Sequence, residues 1–258
     1  MGGGPSQDTA SQPIEEPNDA QPQSKNTDHV KAIQTTTELS LPHNCDNILK
    51  DADSPIDKSS TNKLYDQLCA GVFLNQKRKK YWVEKESKSN CFMLFAQDLF
   101  ITWSDDIRFW QWPLFKESSD EWFAVAELQN VCWLEVHGKF DTANLSPGIM
   151  YEVVFVVMLK DTAYGWEVPV NFRLTLPDGS TQQHTEKLTE KPAGQWIEIP
   201  AGELKTSAHQ NVGEMEASLY EYDGGKWKRG LLVKGVVIRP KLRVPQHSNI
   251  LNQHAATV

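Results

Sequence analysis

The first 60 of the 258 residues contain no phenylalanine, tyrosine or tryptophan, although the whole chain has 25 of these side chains. The same stretch has ten acidic residues against four basic ones, a net charge of −6, whereas the remaining residues carry a net charge of −2. An acidic segment without aromatic side chains cannot bury enough apolar surface to offset the entropy lost when it orders. We therefore expect a disordered acidic arm over residues 1–40, followed by one globular domain.

The chain also lacks the marks of several protein classes. Its longest apolar run, residues 153–159, is far shorter than the ~20 residues of a membrane-spanning helix. No basic-then-apolar signal sequence begins the chain, and its four cysteines form no Cys-x-x-Cys pair. No histidine lies at zinc-ligand spacing, and no GxSxG, P-loop or GxGxxG motif occurs. These absences predict a cytoplasmic chain with reduced thiols, no metal or cofactor, no transmembrane segment and no enzymatic activity.

Two short motifs leave alternatives open. The opening Met-Gly-Gly-Gly-Pro-Ser fits the loose myristoylation pattern with Gly2 as acceptor, and it also fits a flexible glycine-rich start. No polybasic second signal follows that would make one acyl chain a stable anchor. The basic run KRKK at 77–80 fits a nuclear address, a nucleic-acid contact or a solvated loop face.

Apolar spacing predicts two short helices, over residues 41–53 and 60–70. Asn44 and Ser60 are suitable N-cap residues, and Gly71 would end the second helix.

From about residue 90 the pattern changes to strands. Apolar and polar residues alternate over 172–176, and the nearly continuous apolar run at 150–159 is typical of a central strand buried on both faces. We expect further strands over 130–140, 196–199, 215–222 and 230–239. Asp223-Gly224-Gly225 would close a hairpin between the last two. Short strands and frequent turns predict an all-β fold, an antiparallel β-sandwich.

The densest aromatic cluster contains Trp103, Trp110 and Trp112, with Asp105 among the polar residues between them. A strand that ends at Trp103 would leave some of these rings at a sheet edge, in contact with solvent. Indole rings suit the apolar faces of sugars, and the interleaved polar groups can hydrogen-bond to hydroxyls and amides. The same residues also fit a buried core, to which we assign Trp133. Asp105 and Asp106 are adjacent, so on a strand they point to opposite faces and do not form a catalytic pair.

Four segments carry a family signature: CFMLFA at 91–96, ITWSDD at 101–106, VCWLEVHGK at 131–139 and VKGVVIRP at 233–240. Through them, residues 90–240 resemble the phloem protein 2 family, the Nictaba-type lectins of plants. The resemblance implies a jelly-roll-like lectin domain over residues 89–241 with a flexible tail over 242–258. It implies binding of N-acetylglucosamine oligomers, chitin fragments and the core or high-mannose parts of N-glycans.

The resemblance also assigns residues and a setting. It gives sugar binding to Trp103 and Trp110, with Trp112 nearby, and the family's two sugar-site glutamates fall on Glu214 and Glu221. Residues 41–88 resemble the preface of the longer sieve-element members. Their first residues look like the start of an F-box, but too few follow for its helical bundle. The expected setting is the cytoplasm of phloem companion cells and sieve elements, as a homodimer with a defence role.

A structural or transport role is the alternative. Phloem protein 2 resemblance suggests association with sieve-element filament proteins through intermolecular disulfides, for which Cys45 and Cys69 are the candidates outside the sandwich. It also suggests RNA carriage, for which the basic run at 77–80 is the candidate contact.

Overall fold

The computed structural model describes Met1 and residues 40–116, 121–208 and 212–241. Gly2, nearly all of the predicted arm and the predicted tail over 242–258 lie outside the described residues. Two α-helices occur in the described part of the chain, α1 (Cys45–Ile48) and α2 (Thr61–Ala70). No helix there is long and apolar enough to cross a membrane.

Apart from four 3-10 helices of three residues each, the remaining regular structure of the described residues consists of strands. In chain order the described residues form β1 (Val72–Leu74), β2 (Lys79–Val83), β3 (Asn90–Phe95), β4 (Phe100–Ile101), β5 (Trp110–Gln111), β6 (Leu114–Lys116), β7 (Trp122–Ala124), β8 (Ala126–Leu128), β9 (Leu134–Asp141), β10 (Met150–Tyr164), β11 (Val170–Thr175), β12 (Thr181–Glu186), β13 (Ile197–Lys205), β14 (Glu214–Glu221) and β15 (Arg229–Pro240).

These strands form two large antiparallel sheets. One has the order β1-β2-β3-β15-β10-β13, with β8 pairing the first part of β15 and β5 pairing β8. The other has the order β12-β11-β14-β9-β4, and β6 and β7 form a separate hairpin. The predicted all-β antiparallel fold is confirmed. β10 is an interior strand, paired with β15 on one side and with the edge strand β13 on the other, rather than the central strand expected from its apolar run.

The core lies between the two large sheets. Because side chains alternate along a strand, β10 directs Tyr151, Val153 and Phe155 towards the second sheet. The ring of Phe155 meets that of Phe172 on β11 edge to face, with centroids 5.8 Å apart. A smaller apolar cluster lies on the outer face of the first sheet and includes Phe123 of the β6–β7 hairpin.

α2 matches the helix predicted over 60–70, whereas α1 covers only Cys45–Ile48 of the predicted 41–53 and continues as a 3-10 helix over Leu49–Asp51. The Ser60 hydroxyl accepts a hydrogen bond from the Lys63 amide, and α2 ends at Gly71 with φ +98°. Asn44 precedes α1, but its side chain makes no capping bond and instead contacts Asn144. Residues 41–88 are not helices alone, because β1 and β2 extend the first sheet and β2 pairs along β3. The boundary predicted at residue 88 therefore falls inside a hairpin.

Five segments cross between the sheets at one end of the sandwich. They are residues 102–109, 129–133, 165–169, 187–196 and 222–228, and we call this end the crossing-loop end. The predicted hairpin at Asp223-Gly224-Gly225 is wrong, since β14 belongs to one sheet and β15 to the other. A local turn motif does not determine which sheet the next strand joins.

Candidate functional site

Trp103 is displayed at the crossing-loop end. Its side chain is 46% exposed, and its backbone has the left-handed φ of +62°, uncommon outside glycine. The turn is held by Ser104 N–H donating to the Ile101 carbonyl and by Asp106 N–H donating to the Trp103 carbonyl, both at 3.1 Å. The indole packs against Phe109, with ring centroids 5.2 Å apart. Trp103 thus presents an aromatic surface to solvent from a fixed turn.

Trp110 and Trp112 hold this turn from behind. Trp110 is 1% exposed, and its indole N–H donates to the Thr102 carbonyl at 3.1 Å. Trp112 is half-buried, and its indole N–H donates to the Ser104 carbonyl at 3.3 Å. The two bonds therefore bracket Trp103 on either side. Trp110 has no free face for a sugar, so its expected stacking role becomes a positioning role in this geometry.

The acidic pair beside Trp103 divides into two different environments. Asp105 is exposed, as expected for a residue that contacts a ligand. Asp106 is engaged by Arg108, whose guanidinium donates to its carboxylate at 2.6–3.1 Å. These bonds lower the pKa of Asp106 to about 2. Asp106 and Arg108 therefore stabilise the turn, and Asp105 remains at its surface.

Glu221 is a buried member of an ion pair. It is 2% exposed, and its Oε2 pairs with the Nζ of Lys228, which is fully buried. Its Oε1 accepts from the Gly224 amide at 2.7 Å. Lys228 also donates to the carbonyls of Cys132 and Lys226, at 3.1 and 2.9 Å. The carboxylate that was expected to contact sugar is thus used to fix segment 222–228 and to join it to segment 129–133.

Glu214 lies at the other end of the sandwich. It begins β14, whereas Glu221 ends it, and seven strand steps separate the two by about 23 Å. Glu214 is exposed and forms a 2.7 Å ion pair with Lys139 on the neighbouring strand. The structure therefore does not bring Glu214 to a common site with Trp103.

Trp133 does not lie in the core, where its sequence environment predicts it. It is 42% exposed at the crossing-loop end. Its ring stacks on Tyr222, with centroids 4.3 Å apart and an interplanar angle of 14°, and its indole N–H donates to Glu135 at 3.0 Å. The alternation of β9 indicates this exposure. Leu134 and Val136 point into the core, so Trp133 and Glu135 point outward.

The comparisons with known proteins agree with the resemblance in the sequence. The family model described as "Phloem protein 2" matches residues 89–240. The chain belongs to the phloem protein 2 family. "Protein PHLOEM PROTEIN 2-LIKE A1" of Arabidopsis thaliana is 53% identical over 203 residues, 78% of this chain and 81% of that protein. "Lectin" of Luffa acutangula is 47% identical over 205 residues, 79% of this chain and 97% of that protein. "F-box protein At2g02240" of Arabidopsis thaliana is 31% identical over 70% of this chain and 62% of that protein.

The cysteines and the basic run that are candidates for filament and RNA association are only partly accessible in this phloem protein 2 chain. Cys45 is buried, and burial raises its thiol pKa, whereas Cys69 is partly exposed. In the basic run, Lys79 pairs with Asp98 at 3.5 Å and Lys80 with Glu121 at 3.4 Å. Of the two candidate cysteines, Cys69 is therefore the one that a partner chain could reach. The basic run presents less free charge than its sequence suggests.

Glu135 connects the Trp103 turn with Trp133. Its Oε2 accepts from both the Thr102 hydroxyl, at 2.9 Å, and the Trp133 indole. Its Oε1 lies 3.1 Å from Nε2 of His137. The bond from Trp133, supported by His137 and Thr102, lowers the pKa of Glu135 below its ordinary value of 4.5. The ionised carboxylate is thus the form that this part of the phloem protein 2 domain stabilises.

We expect a pH dependence of stability from Glu135. The pKa of Glu135 is lower in the folded than in the unfolded chain. Its contribution to the free energy of unfolding is therefore present above pH 4.5 and is lost as the pH falls through the folded-state pKa. The midpoint temperature of thermal unfolding, measured by circular dichroism, should fall less steeply from about pH 6 to about pH 3 for Glu135→Gln than for the wild type. Equal slopes for the two proteins would contradict this role.

Proposed function

We propose that the chain is a non-enzymatic lectin whose crossing-loop end binds N-acetylglucosamine oligomers, including chitin fragments and the core or high-mannose parts of N-glycans. We place it in the cytoplasm of phloem companion cells and sieve elements, with a role in defence. The family membership and the relative named "Lectin" support the class of function. The geometry around Trp103 supports the site.

The observation that carries the proposal is the arrangement of three tryptophans, of which one is displayed and two hold its turn. An exposed indole leaves a large apolar surface in water, and such a surface is suited to stacking on a sugar ring. The bonds from Trp110 and Trp112 fix the turn before any ligand arrives. A ligand would therefore order little of the protein when it binds, which favours affinity.

Polar groups around Trp103 complete the proposed site. The carboxylate of Asp105 can accept hydrogen bonds from sugar hydroxyls or from an N-acetyl amide, and exposed Gln111 can both donate and accept. The ion pair of Arg108 with Asp106 keeps the turn in place beside them. Apolar stacking with surrounding hydrogen bonds matches a sugar better than it matches a purely apolar ligand.

An open site of this kind yields weak binding for one copy. We therefore expect the proposed lectin to act as a homodimer, because two linked sites raise the apparent affinity for a multivalent glycan by ~10²–10⁴ without new contacts. Sedimentation velocity of the purified chain measures this state directly.

The first test is Trp103→Ala. We expect its affinity for chitotriose to fall about 30-fold, since loss of a dominant contact at an interface costs ~2 kcal/mol or more. The fold should persist because the side chain is half exposed and outside the core. Isothermal titration calorimetry with chitotriose measures the loss.

The matched control is Trp122→Ala. Trp122 is 50% exposed but lies on β7, in the separate β6–β7 hairpin and not in a crossing segment. Its loss should leave chitotriose affinity unchanged. The proposed function fails if the wild-type chain gives no binding heat with millimolar chitotriose, and the site assignment fails if Trp103→Ala binds like the wild type.

A further inference from the structure

Trp133 is a second aromatic surface at the crossing-loop end, and the structure already fixes its orientation. One face of its indole is covered by Tyr222, with centroids 4.3 Å apart, so the exposed fraction belongs to the rest of the ring. Its N–H is held by Glu135. An indole with one face packed and its N–H bonded loses little freedom when a ligand stacks on it.

The support behind Trp133 extends across the outer face of the second sheet. Tyr222 stacks on Tyr220, with centroids 5.5 Å apart, and the guanidinium of Arg173 lies 5.0 Å from the centre of the Tyr220 ring. This series of contacts crosses from segment 129–133 through β14 to β11. A single exposed tryptophan on a mobile loop has no such backing, so Trp133 is built as a rigid surface.

Glu135 places Trp103 and Trp133 close together. The Thr102 amide donates to the Glu135 carbonyl at 3.1 Å, and both Thr102 and Trp133 donate side-chain hydrogen bonds to Glu135 Oε2. The Cα atoms of Trp103 and Trp133 are therefore about 16 Å apart or less. This limit is the sum of the steps from Trp103 to Thr102, across the hydrogen-bonded pair to Glu135, and along the strand to Trp133. One extended ligand can therefore reach both rings.

The polar groups near the two rings suit a sugar. Glu135 and Thr102 lie on the path that joins the rings, and exposed Asp105 follows Trp103 by two residues; their carboxylate and hydroxyl oxygens hydrogen-bond to hydroxyls and amides. The acidic character of these groups disfavours a phosphate backbone, which requires basic contacts. The chemistry around the rings thus favours a neutral, hydroxyl-rich ligand over nucleic acid.

We propose that the exposed face of Trp133 is a second sugar-stacking subsite, so that the ligand is an oligosaccharide that spans Trp103 and Trp133 rather than a single sugar. This inference rests on the proposed function, since it extends the same site. Trp103 contacts one sugar unit, Trp133 contacts another, and Glu135 binds the segment between them while it holds both sides of the site together.

The test compares ligand lengths. Wild type, Trp133→Ala, Trp103→Ala and the control Trp122→Ala are titrated by calorimetry with N-acetylglucosamine, chitobiose, chitotriose and chitotetraose. We expect Trp133→Ala to lower the affinity for chitotriose and chitotetraose about tenfold and to leave that for N-acetylglucosamine within about twofold. Trp103→Ala should weaken all four ligands, and Trp122→Ala none.

A second measurement covers the case in which Trp133→Ala does not fold. Trp133→Phe keeps a ring against Tyr222 and identifies the Trp133 indole N–H resonance in the wild-type spectrum by its disappearance. That resonance should shift on saturation with chitotriose and stay in place with N-acetylglucosamine.

The outcomes separate the two proposals. If the wild type binds chitotriose in a Trp103-dependent manner while Trp133→Ala binds it equally well, or the Trp133 resonance does not move, the subsite is overturned and the lectin function stands. If the wild type binds none of the four sugars, the lectin function itself fails.

Discussion

Glu221→Gln and Lys228→Met should each lower the free energy of unfolding by about 3–5 kcal/mol, the cost of leaving one charge of a buried pair without its partner. Glu221 is 2% exposed and Lys228 fully buried. Lys228 forms an ion pair with the Glu221 carboxylate and donates hydrogen bonds to the carbonyls of Cys132 and Lys226. Urea unfolding followed by circular dichroism measures the effect.

The structure offers a matched control for this pair. Glu214 begins the same strand and pairs with Lys139, but both side chains are more than half exposed. Glu214→Gln should therefore change stability by less than about 1 kcal/mol. The double variant Glu221→Gln with Lys228→Met should recover part of the loss, because it leaves no unpaired buried charge. If Glu221→Gln is as stable as the wild type and loses only sugar affinity, Glu221 contacts sugar and the structural role is wrong.

Trp110→Ala should lower the free energy of unfolding by about 3–5 kcal/mol, as expected for truncation of a large core side chain. It should also abolish sugar binding, since the turn that carries Trp103 loses its support. A loss of binding in this variant alone does not identify a sugar contact. Trp110→Phe is the informative change because it keeps most of the core volume but removes the indole N–H that donates to the Thr102 carbonyl.

For Trp110→Phe we expect a modest loss of stability, ~1–2 kcal/mol, together with clearly weaker chitotriose binding. Trp166→Phe is the matched control. Trp166 is also buried, but it lies on another crossing segment, and its indole N–H donates to the Arg229 carbonyl at 2.8 Å rather than to the Trp103 turn. It should lose similar stability and keep its sugar affinity. Equal sugar affinities for the two phenylalanine variants would contradict the positioning role of Trp110.

The strand pattern explains which parts of the fold could be predicted. β11 alternates between apolar and polar residues, and β10 is apolar on both faces. The burial of each strand could therefore be predicted from its own residues. The turn at Asp223-Gly224-Gly225 has residues that suit a hairpin, but β15 joins the other sheet. Turn chemistry is local, whereas the choice of sheet depends on pairing with distant strands, here β10 and β3.

The candidate site shows the same division. The aromatic cluster from Trp103 to Trp112 was identifiable because a high density of tryptophan among polar residues is unusual. The role of each tryptophan in the cluster could not be predicted. A shift of one residue at a strand end decides whether an indole faces solvent or core. Glu221 could not be recognised as an ion-pair partner, since Lys228 lies seven residues away and meets it only after the chain has turned back.

The sequence by itself determined that the chain is an all-β member of the phloem protein 2 family and that its unusual chemistry centres on the tryptophans after residue 100. Composition, alternation and motifs carry that information residue by residue. Only the tertiary structure decided that Trp103 and Trp133 are displayed, that Trp110 and Glu221 are buried, and that Glu214 lies at the far end. The physical reason is that burial and partnership are set by contacts between distant parts of the chain, which come together only when the two sheets pack.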